Sequence, residues 1–186
     1  PSAGATSLVS LEDLQPGDLI RGESYSAVYY YGEDGFRYVF PNDKTYFTWY
    51  ENFDHVKWIS DSNLSDVQIG GNVTYKPGVK MIKINSDPKV YVVGSGGEIH
   101  SIPSESVAIE LYGSTWNKQI DDVADGFFSN YKMGSALEFS SQFDAASEES
   151  TAFSINADKG LQSYVTVSIS DIGYSPSTSN IDEGRA

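Results

Sequence analysis

The chain has no cysteine, so no disulfide can staple it, and thiolate catalysis and cysteine-liganded zinc are both closed to it. Histidine is nearly as scarce. Only His55 and His100 occur, neither in a nucleophile–base motif, and Gly94-Ser95-Gly96-Gly97 lacks the Gly-x-Ser-x-Gly spacing of a nucleophile elbow. Positive charge is short too: 12 Lys and Arg stand against 26 Asp and Glu, a formal charge of −14. That balance argues against nucleic acid, whose phosphates ask for cations. No run approaches the roughly eighteen apolar residues of a spanning helix, and no charged-then-apolar leader opens the chain, so membrane insertion is not expected. The carboxylate pairs Glu33/Asp34, Asp121/Asp122 and Glu148/Glu149 are sequence neighbours. Neighbours on a strand point to opposite faces, which makes them poor acid–base partners. No cofactor motif is present, and these absences together point away from an enzyme.

What the chain has instead is aromatic density and a repeat. Thirteen tyrosines in 186 residues suit a sheet. Residues 28–50 align without a gap on residues 90–112, and six of the 23 positions are identical: Val28/Val90, Tyr29/Tyr91, Gly32/Gly94, Gly35/Gly97, Pro41/Pro103 and Tyr50/Tyr112. Ordinary composition gives roughly one or two such matches. Pro16-Gly17 and Pro77-Gly78 open the two copies. A unit of about sixty residues is thus used twice, and what recurs in it is turn glycine, aromatic and apolar anchor rather than any catalytic side chain.

The expected organisation is an N-terminal arm over 1–15, repeat unit 1 over 16–76, repeat unit 2 over 77–134, and an acidic Ser/Thr-rich tail over 135–186 with a strand at 161–172. In unit 1, strands near 25–32 and 35–40 meet across Gly32-Glu33-Asp34-Gly35, a hairpin signal. Asn42 caps an aromatic helix, a strand follows at 56–59, a short helical turn at 62–67, and Gly70-Gly71 makes a bend. Unit 2 repeats the plan, with Ser104 capping a helix over 105–112 and a further helix over 123–131. Tyr131-Lys132-Met133-Gly134 echoes Tyr75-Lys76-Pro77-Gly78, as though a third unit were begun. In the tail, Val165, Val167 and Ile169 alternate with Tyr164, Thr166 and Ser168, so this strand needs a sheet to join. The expected fold is α+β and β-rich: two similar hairpin-plus-short-helix units and an extended C-terminal tail carrying a pairing strand.

Weak chemical signals accompany this plan. Exposed rings on a flat sheet can stack on sugars, with Tyr30, Tyr38, Trp49 and Trp58 as candidates, although the commoner use of alternating rings is core filling and cross-strand pairing. Asn63-Leu64-Ser65 and Asn72-Val73-Thr74 fit the N-glycosylation pattern. Asp121, Asp122 and Asp125 offer oxygen ligands to calcium, but at no EF-hand spacing; acidic residues at a helix start are the plainer reading.

Gly17-Asp18-Leu19-Ile20-Arg21-Gly22, Arg37-Tyr38-Val39-Phe40-Pro41-Asn42, Thr45-Tyr46-Phe47-Thr48-Trp49-Tyr50, Gly70 to Gly78 and Asp87-Pro88-Lys89-Val90-Tyr91 resemble a tandem domain of secreted surface proteins from uncultured small-genome bacteria. Ser154 to Leu161 is similar to the segment that leads onward in such proteins. The resemblance implies export to the cell surface and carries no catalytic residues. The expected function is an extracellular structural subunit, a surface-layer or filament module that assembles with itself by strand addition. Val165, Val167 and Ile169 are the expected donor anchors, with Leu8 and Val9 as a second contact. The alternative is a module that binds carbohydrate or cell wall.

Overall fold

The computed structural model describes residues 7–163; the tail strand with Val165, Val167 and Ile169 lies outside them. The chain is α+β and β-rich, built on two five-stranded sheets. The first contains β1 (Leu19–Arg21), β2 (Tyr29–Tyr31), β3 (Arg37–Val39), β4 (Val56–Trp58) and β5 (Ile69–Asn72). The second contains β6 (Met81–Ile84), β7 (Asp87–Val93), β8 (Glu98–Ser101), β9 (Ile120–Val123) and β10 (Lys132–Met133). Their orders, β4-β1-β2-β3-β5 and β9-β6-β7-β8-β10, are the same plan. In each, the first three strands form an antiparallel meander, and the last two add in parallel, one at each edge.

The helices follow from that order. In the first unit α1 (Asp43–Trp49) carries the chain from β3 across to β4, and α2 (Asp61–Asp66) carries it back to β5. Crossovers that run in opposite directions keep one hand only by using opposite faces of the sheet. Accordingly Tyr46 of α1 packs with Leu19, Tyr30 and Phe40 on one face, while Leu64 of α2 packs with Ile20, Ile59 and Leu14 on the other. The second unit repeats both layers. Ala108 of α3 (Glu105–Tyr112) joins Met81 and Val92, and Phe128 of α4 (Asp125–Phe128) covers Ile82, Tyr91 and Val123. The alternation of a strand sets both faces, since Leu19/Ile20 and Met81/Ile82 each send one side chain to each layer. N-caps repeat likewise. Asn42 accepts from the Thr45 amide and Ser104 from the Val107 amide, each cap worth about 1 kcal/mol.

Three sequence expectations need correction. Gly70-Gly71 is not a bend but part of β5, where a Cβ on Gly70 would stand 2.6 Å from the Tyr38 ring. Of the helix expected over 123–131, Val123 instead closes β9, to which β6 offers a parallel partner, and only Asp125–Phe128 turn helical. Lys132–Met133 is no third unit but the closing strand of the second sheet, beside β8.

Sequence leaves one further point open in 135–160, the first part of the extended acidic Ser/Thr-rich tail expected over 135–186. This part is a strap. Leu137 and Phe143 pack into the second unit's core, then α5 (Ala145–Thr151) and α6 (Ile155–Lys159) lead Ile155, fully buried, into the core of the first. Asn156 Oδ1 accepts from the Glu33 amide at 3.0 Å. Glu148 Oε2 accepts from the Ser95 amide at 2.8 Å, and Asp158 Oδ1 from the Gly96 amide at 2.7 Å. Glu33 and Ser95 occupy the same turn position in the two repeats, so one strap ties the equivalent hairpin turn of each.

Candidate functional site

The residues singled out by sequence scatter. Tyr30 and Tyr38 are core residues, 2% and 7% exposed, so no sugar can reach their faces. Tyr38 OH donates to Asp34 Oδ2 at 2.5 Å. Trp49 is half-buried and donates its indole N–H to the Thr74 carbonyl. Trp58 is half-buried, with the Arg21 guanidinium 3.9 Å above its ring. Leu8 is exposed, whereas Val9 N–H donates to the Trp58 carbonyl at 2.8 Å, laying the arm on the edge strand β4. Asn63 lies on α2, half-buried. Asn72 Nδ2 donates to Asn130 Oδ1 at 3.0 Å between the two units, a bond that a glycan on that nitrogen would break.

The three aspartates do not gather a cation. Asp121 accepts from Lys80 Nζ at 3.0 Å and from Tyr75 OH at 3.3 Å, and Asp122 lies 3.1 Å from Lys83 Nζ. Among the described residues no group of three or more His, Asp and Glu could hold a metal ion.

Among the described residues, two kinds of concavity lie against the repeated units and bear on function. One is a polar cleft of about 470 Å3 where the strap meets both units, lined by Tyr38, Thr74, Asn130, Lys132, Asp158 and Lys159. Burial raises the Asp158 carboxyl above its ordinary value and lowers the Lys159 ammonium below its own, since desolvation disfavours either charge. Asp158 is held by Gly96, and the Lys159 ammonium sits 5.1 Å from the Tyr38 ring. These groups are therefore engaged in closing the strap.

The other kind occurs twice, at the corner where the third strand of each unit turns into its helix. The first groove, about 370 Å3, has Val28, Phe40 and Tyr46 as floor, Phe53 and Phe127 as walls, and Ser26, Asn42 and Asn72 as polar lip. The second, about 210 Å3, uses the repeat counterparts Val90, Ile102, Pro103, Ser104 and Ala108, with Trp116 as wall. The stretch from helix start to outer strand is two residues longer in unit 2, because Val56 pairs with Leu19 where Ile120 pairs with Met81. An aromatic wall is supplied on both despite that change. Sequence reasoning missed Phe53, Phe127 and Trp116 because no spacing rule connects them to the helix corner; the repeat boundary at Pro41/Pro103 was the available signal.

No family model, curated protein or solved structure matches this chain.

Proposed function

We propose that the chain is an extracellular structural subunit, a surface-layer or filament module that joins copies of itself by strand addition. The supporting observation is the outer edge of the first sheet. β5 is its last strand, and Ile69 on it is 55% exposed. An apolar edge strand is a template for pairing that proteins usually cover. The opposite edge, β4, already carries part of the N-terminal arm through Val9. The donor is the segment with Val165, Val167 and Ile169. The described chain ends at the turn before β3: Ser163 Oγ donates to Glu33 Oε1 at 2.6 Å, and β3 is the strand with which β5 pairs. Main-chain bonds would supply affinity and the alternating apolar side chains register. The cell-surface setting rests on the sequence resemblance.

The test is electron microscopy with light scattering on the full chain beside a chain ending at Ser163, which keeps Leu161 packed on the first core. Filaments, sheets or oligomers formed by the full chain alone, and lost on Val167→Asp, are expected. Monomers in every sample would overturn the proposal.

A further inference from the structure

We infer that the groove beside Phe53 binds an uncharged oligosaccharide, independently of any assembly through the tail. Four observations converge on it. First, the walls are accessible rings over a buried floor: Phe53 and Phe127 are 47% and 37% exposed, whereas Phe40 and Tyr46 are 7% and 1% exposed. Phe53 is held in place, stacked on Tyr46 with centroids 4.3 Å apart and edge-on to Phe47 at 5.3 Å. A preset wall loses little freedom when a ligand arrives.

Second, the polar lip is made of a hydroxyl and two carboxamides, groups that both donate and accept. Asn42 is fixed by Thr45 and Asn72 by Asn130. A sugar ring has an apolar C–H face for the wall and a rim of hydroxyls for such a lip. Third, no carboxylate, ammonium or guanidinium lines the first pocket, in a chain of formal charge −14. A charged ligand seated there would lose water without gaining a counter-charge. Fourth, the groove continues. A second pocket of about 320 Å3 shares Ser26, Val28 and Phe53 with the first and runs on to Val56, Trp58 and Arg21, whose guanidinium is engaged over the Trp58 ring and donates to the Tyr25 carbonyl. Phe53 is thus a ridge between two adjoining subsites, which suits a chain of rings better than a single sugar.

The chain ending at Ser163 keeps every residue of the groove, so glycan binding is read on it and on the full chain alike, whatever the outcome of the assembly test. The probes are chitohexaose, cellohexaose, maltohexaose and mannohexaose, with hexagalacturonate as the acidic arm, followed by calorimetry and by tryptophan fluorescence from Trp58. At least one neutral hexasaccharide should bind with one-to-one stoichiometry. Phe53→Ala and Phe127→Ala should each weaken it by about tenfold while leaving the circular dichroism melt cooperative, and Trp116→Ala, in the other groove, should leave it unchanged. Absence of neutral binding at millimolar sugar, binding of the acidic probe alone, or affinity unmoved by both phenylalanine variants would each overturn the inference. So would displacement of the sugar by a synthetic peptide of residues 161–172, which would make the groove a seat for the tail.

Discussion

Glycines show how much a single residue's role depends on what lies above it. Gly78 and Gly113 both have a positive φ, +75° and +78°. A Cβ on Gly113 would meet nothing within 4 Å, whereas one on Gly78 would stand 2.0 Å from the Ala145 carbonyl oxygen, in the strap. Gly113→Ala should therefore cost only the local strain of about 1 to 3 kcal/mol. Gly78→Ala should cost more than about 3 kcal/mol, because the strap's backbone must also move. Urea denaturation of both variants checks this, and equal losses would show that the strap does not bear on that turn. Gly17, the counterpart of Gly78, is open apart from the Tyr30 hydroxyl at 3.8 Å. Sequence shows two equivalent Pro-Gly turns, and only packing distinguishes them.

Among the elements, those governed by neighbours in sequence were legible and those governed by distant partners were not. Both hairpins, the helices capped by Asn42 and Ser104, and the stop at Gly113 follow from turn and cap chemistry acting over a few residues. The strap helices carried the same kind of signals, with Asp144 capping α5, Ser154 capping α6 and left-handed Gly160 ending it. At seven and five residues they are too short to show a helical period, and isolated helices of that length do not hold without tertiary contacts. Ile155 supplies such a contact. Ile155→Ala should lower unfolding free energy by about 2 to 5 kcal/mol. Because α6 reaches both turns, amide hydrogen exchange should quicken at Glu33 and Gly96 together. Exchange rising at Glu33 alone would mean that the strap is not one unit.

For the whole molecule, several tyrosines bury their hydroxyls in the cores of the two units. Burial is the leading cause that raises Tyr50, Tyr75, Tyr112 and Tyr131 well above their ordinary value near 10, with Asp121 adding to the effect at Tyr75. A group whose folded pKa is raised contributes stability that is complete below its unfolded value and is lost as pH rises. Stability should therefore hold up to about pH 10 and fall above it. Tyrosinate absorbance at 295 nm should rise in two stages, exposed rings first and these four only with unfolding, as reported by simultaneous circular dichroism. A single smooth titration with retained structure would contradict the burial. The same two-core arrangement explains why the aromatic list read from sequence misplaced the accessible rings. Tyr30 and Tyr38 alternate correctly with their neighbours, but the layers of α1 and the strap cover the face they occupy.

By itself the sequence determined the β-rich α+β class, the repeated hairpin-plus-helix plan and its turns and caps, because each of these is set by residues a few positions apart or by the register of the two copies. Tertiary structure alone decided which strands lie at the sheet edges, which rings remain reachable and that residues 135–160 bind both units, because those outcomes rest on pairs as remote as Glu33 and Asn156, 123 residues apart, whose meeting no local pattern encodes.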